Sequence, residues 1–349
     1  MSTTPPQIEL TERQRTLLTR VIEEYVSTEQ PVGSKKLVER LELRFAPSTV
    51  RTELAELERL GLLTHPHTSA GRIPTERGYR YYADRLLDRL DPRPASFPLD
   101  LTALRSEVEA ALQATTEMLS QATHLLALVS APPLEAATIR HVEVLLLQPT
   151  VVVVVAISST GGVTKRVFAF EQPIDRGLAN WASQYLNEQL AGVKLGTRLL
   201  QQRLADPSLT PGERVFIGAL RPAFTELVAQ EEQRLFVGGA AGMLDELRAD
   251  ELARYRGLLE LLERRRALLD VLAQAFDPRR PFVRVGDELA HPALRELALV
   301  GTAYGLANRT LGAVSLIGPV RMDYEKALRS VRGAASELSR FAEDVFGEN

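Results

Sequence analysis

Apolar residues recur at helical spacing through the first ninety positions, and the period then changes. Leu17, Leu18, Val21, Ile22 and Tyr25 mark one face of a helix from about Thr11 to Ser27, and Thr11 followed by Gln14 fits a capping box. Gln30-Pro31-Val32-Gly33 ends it. Ser34 caps a short second helix to Leu41, with Leu37, Val38 and Leu41 inward. After a short loop, Pro47 and Ser48 open a third helix that stops at Gly61, its inward face being Val50, Leu54, Leu57 and Leu60. Leu62-Leu63-Thr64 and Arg72-Ile73 flank a turn-rich loop and predict a hairpin. A fourth helix, capped by Thr75, runs to about Leu90.

Three prolines between Asp91 and Pro98 predict a semi-rigid linker. Beyond it the pattern predicts a long helix over 101–130, then strands at Val142–Gln148, Thr150–Ser158 and Val163–Phe170. The unbroken valine run from Val151 predicts a strand buried on both faces. From about Asp175 to Phe276 the chain reads as entirely helical. Strands return at Phe282–Val285, Leu297–Leu306 and Leu311–Ile317, before a last helix over 323–346. Strands on both sides of a helical interlude predict an α+β multidomain protein, its C-terminal domain interrupted by a helical insertion.

Composition narrows the function. There is no cysteine among the 349 residues, which removes disulfides, thiol catalysis and cysteine-ligated metals. The longest apolar run, Val151–Ile157, is far short of the roughly 20 residues that span a membrane, and the polar N-terminus has no secretory pattern, so the cytoplasm is the expected location. The net charge of −3 argues against a polybasic surface; residues 1–90 carry 14 basic against 13 acidic side chains. Nucleic-acid binding must come from a few placed residues. No phosphate-loop, dinucleotide or zinc-protease signature occurs: Gly238-Gly-Ala-Ala-Gly242 lacks the lysine and, on this reading, the preceding strand. His65-x-His67 lacks a third metal ligand nearby, and no cofactor is implied.

Three helices and a two-stranded wing make a winged helix-turn-helix, whose third helix enters the major groove. Its outward face presents Ser48, Thr49, Arg51 and Thr52. Arg51 is suited to a bidentate contact with a guanine edge, and the hydroxyls to phosphates or bases. Lys35 and Lys36 begin the helix that crosses the backbone. The loop His65–Arg72 offers His67, Thr68, Ser69, Gly71 and Arg72 and no carboxylate, as a wing on phosphates or in the minor groove requires. Such modules also dock proteins. Further on, Leu252, Tyr255, Leu259, Leu262, Leu269 and Phe276 form a heptad-like seam broken by Arg266, beside a second stripe of Leu258, Leu261, Leu268 and Leu272. Two stripes need two partners, either a second subunit at the first seam or the monomer's own core for both.

The segments Leu10-Thr-Glu-Arg-Gln, Pro31-Val-Gly-Ser34, Pro47-Ser-Thr-Val-Arg51 and Leu57-Glu-Arg-Leu-Gly-Leu-Leu63 stand beside His67-Thr-Ser-Ala-Gly-Arg-Ile-Pro74 and Gly78-Tyr-Arg-Tyr-Tyr82. Together with Gly312-Ala-Val-Ser-Leu-Ile-Gly-Pro-Val-Arg-Met-Asp-Tyr324 they resemble the bacterial heat-inducible transcription repressor HrcA family. The resemblance implies a winged-helix domain (1–90), a linker (91–100), a GAF-like domain in two parts (101–190 and 281–349) and a helical inserted dimerisation domain (191–280). It also implies a homodimer on an inverted-repeat operator of groE- and dnaK-type chaperone operons, with activity supported by the GroE chaperonin. Thr52 departs from the polar amide expected there. The alternative reading is a ligand-sensing GAF-like protein whose winged helix docks a protein partner.

Overall fold

The computed structural model describes residues 9–40, 46–66, 71–102, 107–132, 137–231, 234–240 and 252–346. Helices α1 (Glu12–Thr28), α2 (Ser34–Arg40) and α3 (Pro47–Arg59) pack with strands β1 (Leu63–Thr64) and β2 (Ile73–Pro74), which pair antiparallel, and with α4 (Glu76–Asp88). Local chemistry sets the ends. Thr11 and Gln14 exchange both capping-box hydrogen bonds, and Glu29 stops α1 in the left-handed conformation. Thr75 caps α4 at Gly78 and donates to the Gly61 carbonyl, fastening α4 to the end of α3. Leu17, Leu18, Ile22, Leu37, Val50, Leu57 and Leu62 are all but fully buried between these elements.

A five-stranded antiparallel sheet forms the body, in the order β7-β3-β10-β9-β8. Its strands are β3 (Leu126–Ser130), β7 (Leu235–Gly238), β8 (Phe282–Val285), β9 (Leu297–Leu306) and β10 (Arg309–Pro319). Ala127, Val129, Val300, Val314 and Leu316 face α5 (Val108–Thr123) and the final helix Tyr324–Phe346. Leu126, Leu128, Leu299 and Ile317 face the helices Leu252–Glu263 and Arg265–Ala275. Helices on both faces explain why these strands read as continuous apolar runs. The N-terminal module shares the first of these cores. Polar clasps fix it there: Glu29 to Arg321 at 2.5 Å, Arg80 to Glu288 at 3.1 Å, and the Asp287 amide donating to Glu76 at 2.9 Å.

The second sheet is separate. Strands β4 (Ile139–Gln148), β5 (Val151–Ser158) and β6 (Val163–Ala169) pair antiparallel with one another, and no other described strand joins their sheet. One face carries Val142, Val144, Val152, Val154 and Ala156 against α6 (Arg176–Leu190), α7 (Arg198–Arg203) and α8 (Pro211–Glu231), closing a core of its own.

Several expectations change. Of the long helix expected over 101–130 the described part is α5, because His124 turns left-handed and Leu126–Ser130 pairs with β7 and β10 as a central strand. The stretch expected to be helical to Phe276 contains β7, which Gly239 ends at φ 84°. The glycine run at Gly238 therefore does follow a strand, although it still lacks a lysine. The single helix expected through residues 252–276 breaks at Arg264, whose φ of −101° and ψ of 67° interrupt the hydrogen-bond ladder.

The expected boundary at residue 190 cuts one core in two, since residues 195–227 pack with β4 and β5. The interruption of the body is thus a mixed sheet-and-helix unit from about residue 137 to 231 rather than a helical one over 191–280. Partner choice between strands is non-local, and the hydrophobic period alone does not encode it. Among the described residues no helix is long and apolar enough to cross a membrane.

Candidate nucleic-acid interface

Helix α3 is the centre of the candidate surface. Val50, Leu54 and Leu57 bury one side, which leaves Ser48, Arg51 and Thr52 exposed on the other and Thr49 half-buried. The Thr52 hydroxyl donates to the Ser48 carbonyl at 3.2 Å. No acid lies in the first turn, and Ala46 supplies no side-chain cap, so the first-turn amides stay open to an incoming acceptor.

The carboxylates of α3 are all occupied from within. Glu53 accepts from Gln14 at 3.0 Å and lies 3.5 Å from Arg13, turning its charge toward α1. Glu56 takes both arms of Arg59, at 2.8 and 2.6 Å, and the hydrogen-bonded guanidinium holds its carboxyl below the usual carboxylate range. Glu58 takes Arg72 at 2.8 Å and the His65 ring. Arg51 has no hydrogen bond or ion pair from its side chain among the described residues, and so is the helix's uncompensated charge.

The flanking cations divide. Lys35 is largely exposed, 3.8 Å from Glu39. Lys36 is 2.6 Å from Glu24 and braces α2 on α1. Gly71 and Arg72, expected on the wing, lie at its root: the backbones of Val32 and Arg72 exchange hydrogen bonds of 2.8 and 2.9 Å. A Cβ at Gly71 would come within 2.5 Å of the Val32 carbonyl carbon, so the close approach demands glycine. His67, Thr68 and Ser69 lie outside the described residues. Glu58, the anchor of the β1–β2 hairpin, shows no signal in the sequence because its partners are 7 and 14 residues away and follow no local spacing. Among the described residues no three His, Asp or Glu side chains cluster to hold a metal.

The second stripe and half of the expected subunit seam pack within the chain. Leu258, Leu261, Leu268 and Leu272 are buried under the five-stranded sheet, and Leu262, Leu269 and Phe276 pack half-buried against the same core. Leu259 remains 37% exposed. For Leu252 and Tyr255 only the helical backbone is described.

Residues 109–328 match the family model described as the HrcA protein C terminal domain. The heat-inducible transcription repressor HrcA of Pelotomaculum thermopropionicum is 29% identical, across 97% of this chain and 98% of its own. Those of Nocardioides sp. and Streptomyces avermitilis are 35% and 36% identical, across 95% and 93% of this chain and 99% and 97% of theirs. The chain belongs to the HrcA family. A hypothetical protein solved by crystallography at 2.2 Å shares the fold, with a TM-score of 0.63 at 23% identity across 96% of this chain and 98% of that one. The HrcA relatives bear the name of a repressor and not of an enzyme. Their match extends through the N-terminal module as well as both sheets.

Proposed function

We propose that the chain represses chaperone operons of groE and dnaK type by binding an inverted-repeat operator as a homodimer, with the GroE chaperonin setting its activity. In this reading α1 to α3 and the hairpin are a winged helix, α3 enters the major groove, and the five-stranded sheet with its helices is the GAF-like domain. One observation carries it: every carboxylate of α3 is satisfied inside the module, while Arg51, Ser48 and Thr52 stand exposed at the helix's open N-terminal half. A guanidinium there is free for a guanine edge, and the hydroxyls and open amides suit phosphate. Lys35 supplies a backbone contact beside them. His67, Thr68 and Ser69 remain the candidates that the sequence offers for the wing, while Lys36, Gly71 and Arg72 hold the module in shape.

The homodimer rests on the valine run. Val152 and Val154 face the helices, whereas Val153, though only 2% exposed, belongs to none of the three cores. Leu145, Val153 and Val167 align across the outer face, with Leu145 43% and Val167 58% exposed. The adjacent row is Glu143, Val155 and Lys165, an acid and a base at opposite edges. A second copy turned by a two-fold axis would lay each charge over its opposite and cover the valines. This face replaces the helical seam as the candidate subunit contact.

Titration of Arg51→Ala against an operator with each base pair varied tests the reading. The expected loss is about 1–3 kcal/mol, with discrimination relaxed at one position per half-site. Lys35→Ala should instead weaken all duplexes alike and lower the salt slope by about one. Equal, sequence-independent losses at both positions would overturn the assignment.

A further inference from the structure

A cleft of roughly 870 Å3 opens between the N-terminal module and the final helix, walled by α1, the end of α4, the residues just after it and the helix Tyr324–Phe346. Its lining is rich in arginine. Arg20 and Arg329 are matched by Glu23 at 2.9 Å and Glu325 at 2.8 Å, and Arg332 donates to the Asp91 carbonyl. Arg15, Arg85, Arg89 and Arg93 line the same cleft, and their side chains have no hydrogen bond or ion pair among the described residues. The Nε of Arg15 is buried with no acceptor.

Glu12 and Asp91 also line the cleft, but its seven arginines outnumber its four carboxylates, and a concave site with an excess of one sign concentrates anions. The guanidinium fork fits phosphate oxygens in pairs, and the volume lies in the range of small-molecule sites, about 300–1,000 Å3. Nothing from α3 or the hairpin lines the cleft, which separates it from the candidate operator surface.

We propose that this cleft binds a soluble small molecule bearing two or more phosphates, held by Arg15, Arg85, Arg89 and Arg93. The inference goes beyond operator recognition and does not depend on it. Because the walls belong to the module, the segment after it and the body, a bound polyanion ties all three together and fixes how the module sits.

Calorimetric titration of the full chain with sodium tripolyphosphate, ATP and orthophosphate at matched ionic strength tests it, repeated on the Arg15→Gln, Arg89→Gln double variant with folding checked by circular dichroism. Tripolyphosphate or ATP should bind once per chain, at least about tenfold tighter than orthophosphate, and the double variant should weaken that binding by about tenfold or more. ATP binding tighter than tripolyphosphate would add a held base, and equal affinity would leave phosphate alone as the determinant; both support the site. Absence of saturable binding up to about 1 mM, or unchanged affinity in the double variant, would overturn it. Proportional loss of binding to a scrambled DNA duplex would also overturn it, assigning these arginines to the DNA backbone. Should the double variant fail to fold, Arg85→Gln with Arg93→Gln gives the same readout.

Discussion

Replacing the Glu58 carboxylate by an amide should loosen the hairpin while leaving the module folded. The β1–β2 ladder has only two residue pairs, Leu63 with Pro74 and Thr64 with Ile73, and so short a hairpin is marginal without an anchor. Glu58 supplies one through Arg72 at 2.8 Å and the His65 ring. A fully exposed pair is worth about 0–1 kcal/mol, and a hydrogen bond to a charged, desolvated group about 1.5–3 kcal/mol. With Arg72 and Glu58 side chains 23% and 26% exposed, Glu58→Gln should cost about 1–2 kcal/mol locally. The Arg72 Nε is already buried without an acceptor among the described residues, so losing the carboxylate leaves the guanidinium further short of partners. Amide hydrogen exchange read by mass spectrometry reports this directly, because the Val32 and Arg72 amides close the base of the hairpin. Exchange in the peptide covering residues 71–75 should quicken roughly 5- to 30-fold while that of α1 stays constant. In a double-mutant cycle with Arg72→Gln the two effects should fall short of additivity by about 1 kcal/mol. Unchanged exchange, or losses that add within about 0.3 kcal/mol, would refute the argument.

Other outcomes follow from the same structure. Tyr79 is 3% exposed, and its hydroxyl is buried with no partner among the described residues, so Tyr79→Phe should raise stability to urea by about 1 kcal/mol; a loss of that size would mean that the hydroxyl is satisfied. Val167→Glu on the outer valine face should convert the proposed dimer to monomer in sedimentation experiments with the circular dichroism spectrum unchanged, and a persisting dimer would place the contact elsewhere. Asp206 is held below the usual carboxylate range chiefly by the Ser208 hydroxyl and amide, with a further hydrogen bond from Tyr185, whose phenol is pushed up to about 12, mainly by desolvation. A lowered carboxyl stabilises the fold above its unfolded pKa, and that contribution is lost as pH falls through the folded one. The stability gap between the natural chain and Asp206→Asn should therefore hold from about pH 7 to about pH 5 and narrow as pH falls below about 4, and a gap that widens on acidification would contradict the assignment.

The elements legible in the sequence are those whose signals are local. The Thr11–Gln14 capping box, the Pro47 start of α3 and the helical period of the last helix each lie within a few residues of the boundary they set, and α1, α3 and Tyr324–Phe346 form where expected. The exposed face of α3 followed from the same period. What sequence did not disclose depends on distant partners. Leu126–Ser130 suits a buried helix as well as a strand, and only β7 and β10 on either side decide it. The valines of β5 alternate between two faces, but nothing in their spacing says that one face meets α6 and α8 while Val153 on the other joins none of the cores among the described residues. Arg72 reads as a wing cation in sequence, and its pairing with Glu58 becomes visible only when the hairpin folds back on α3. Arg266 interrupted the expected seam on paper; the real break falls two residues earlier, where backbone geometry rather than polarity ends the helix.

The central claim is operator recognition by α3, and one titration addresses it most directly. The purified full chain is measured against the inverted repeat upstream of its host's chaperonin operon and against a scrambled duplex of equal length, each at two salt concentrations. The account predicts at least about a thousandfold preference for the repeat, with both affinities falling as salt rises. Equal affinity for the two duplexes, from protein shown to be folded and dimeric, would contradict it.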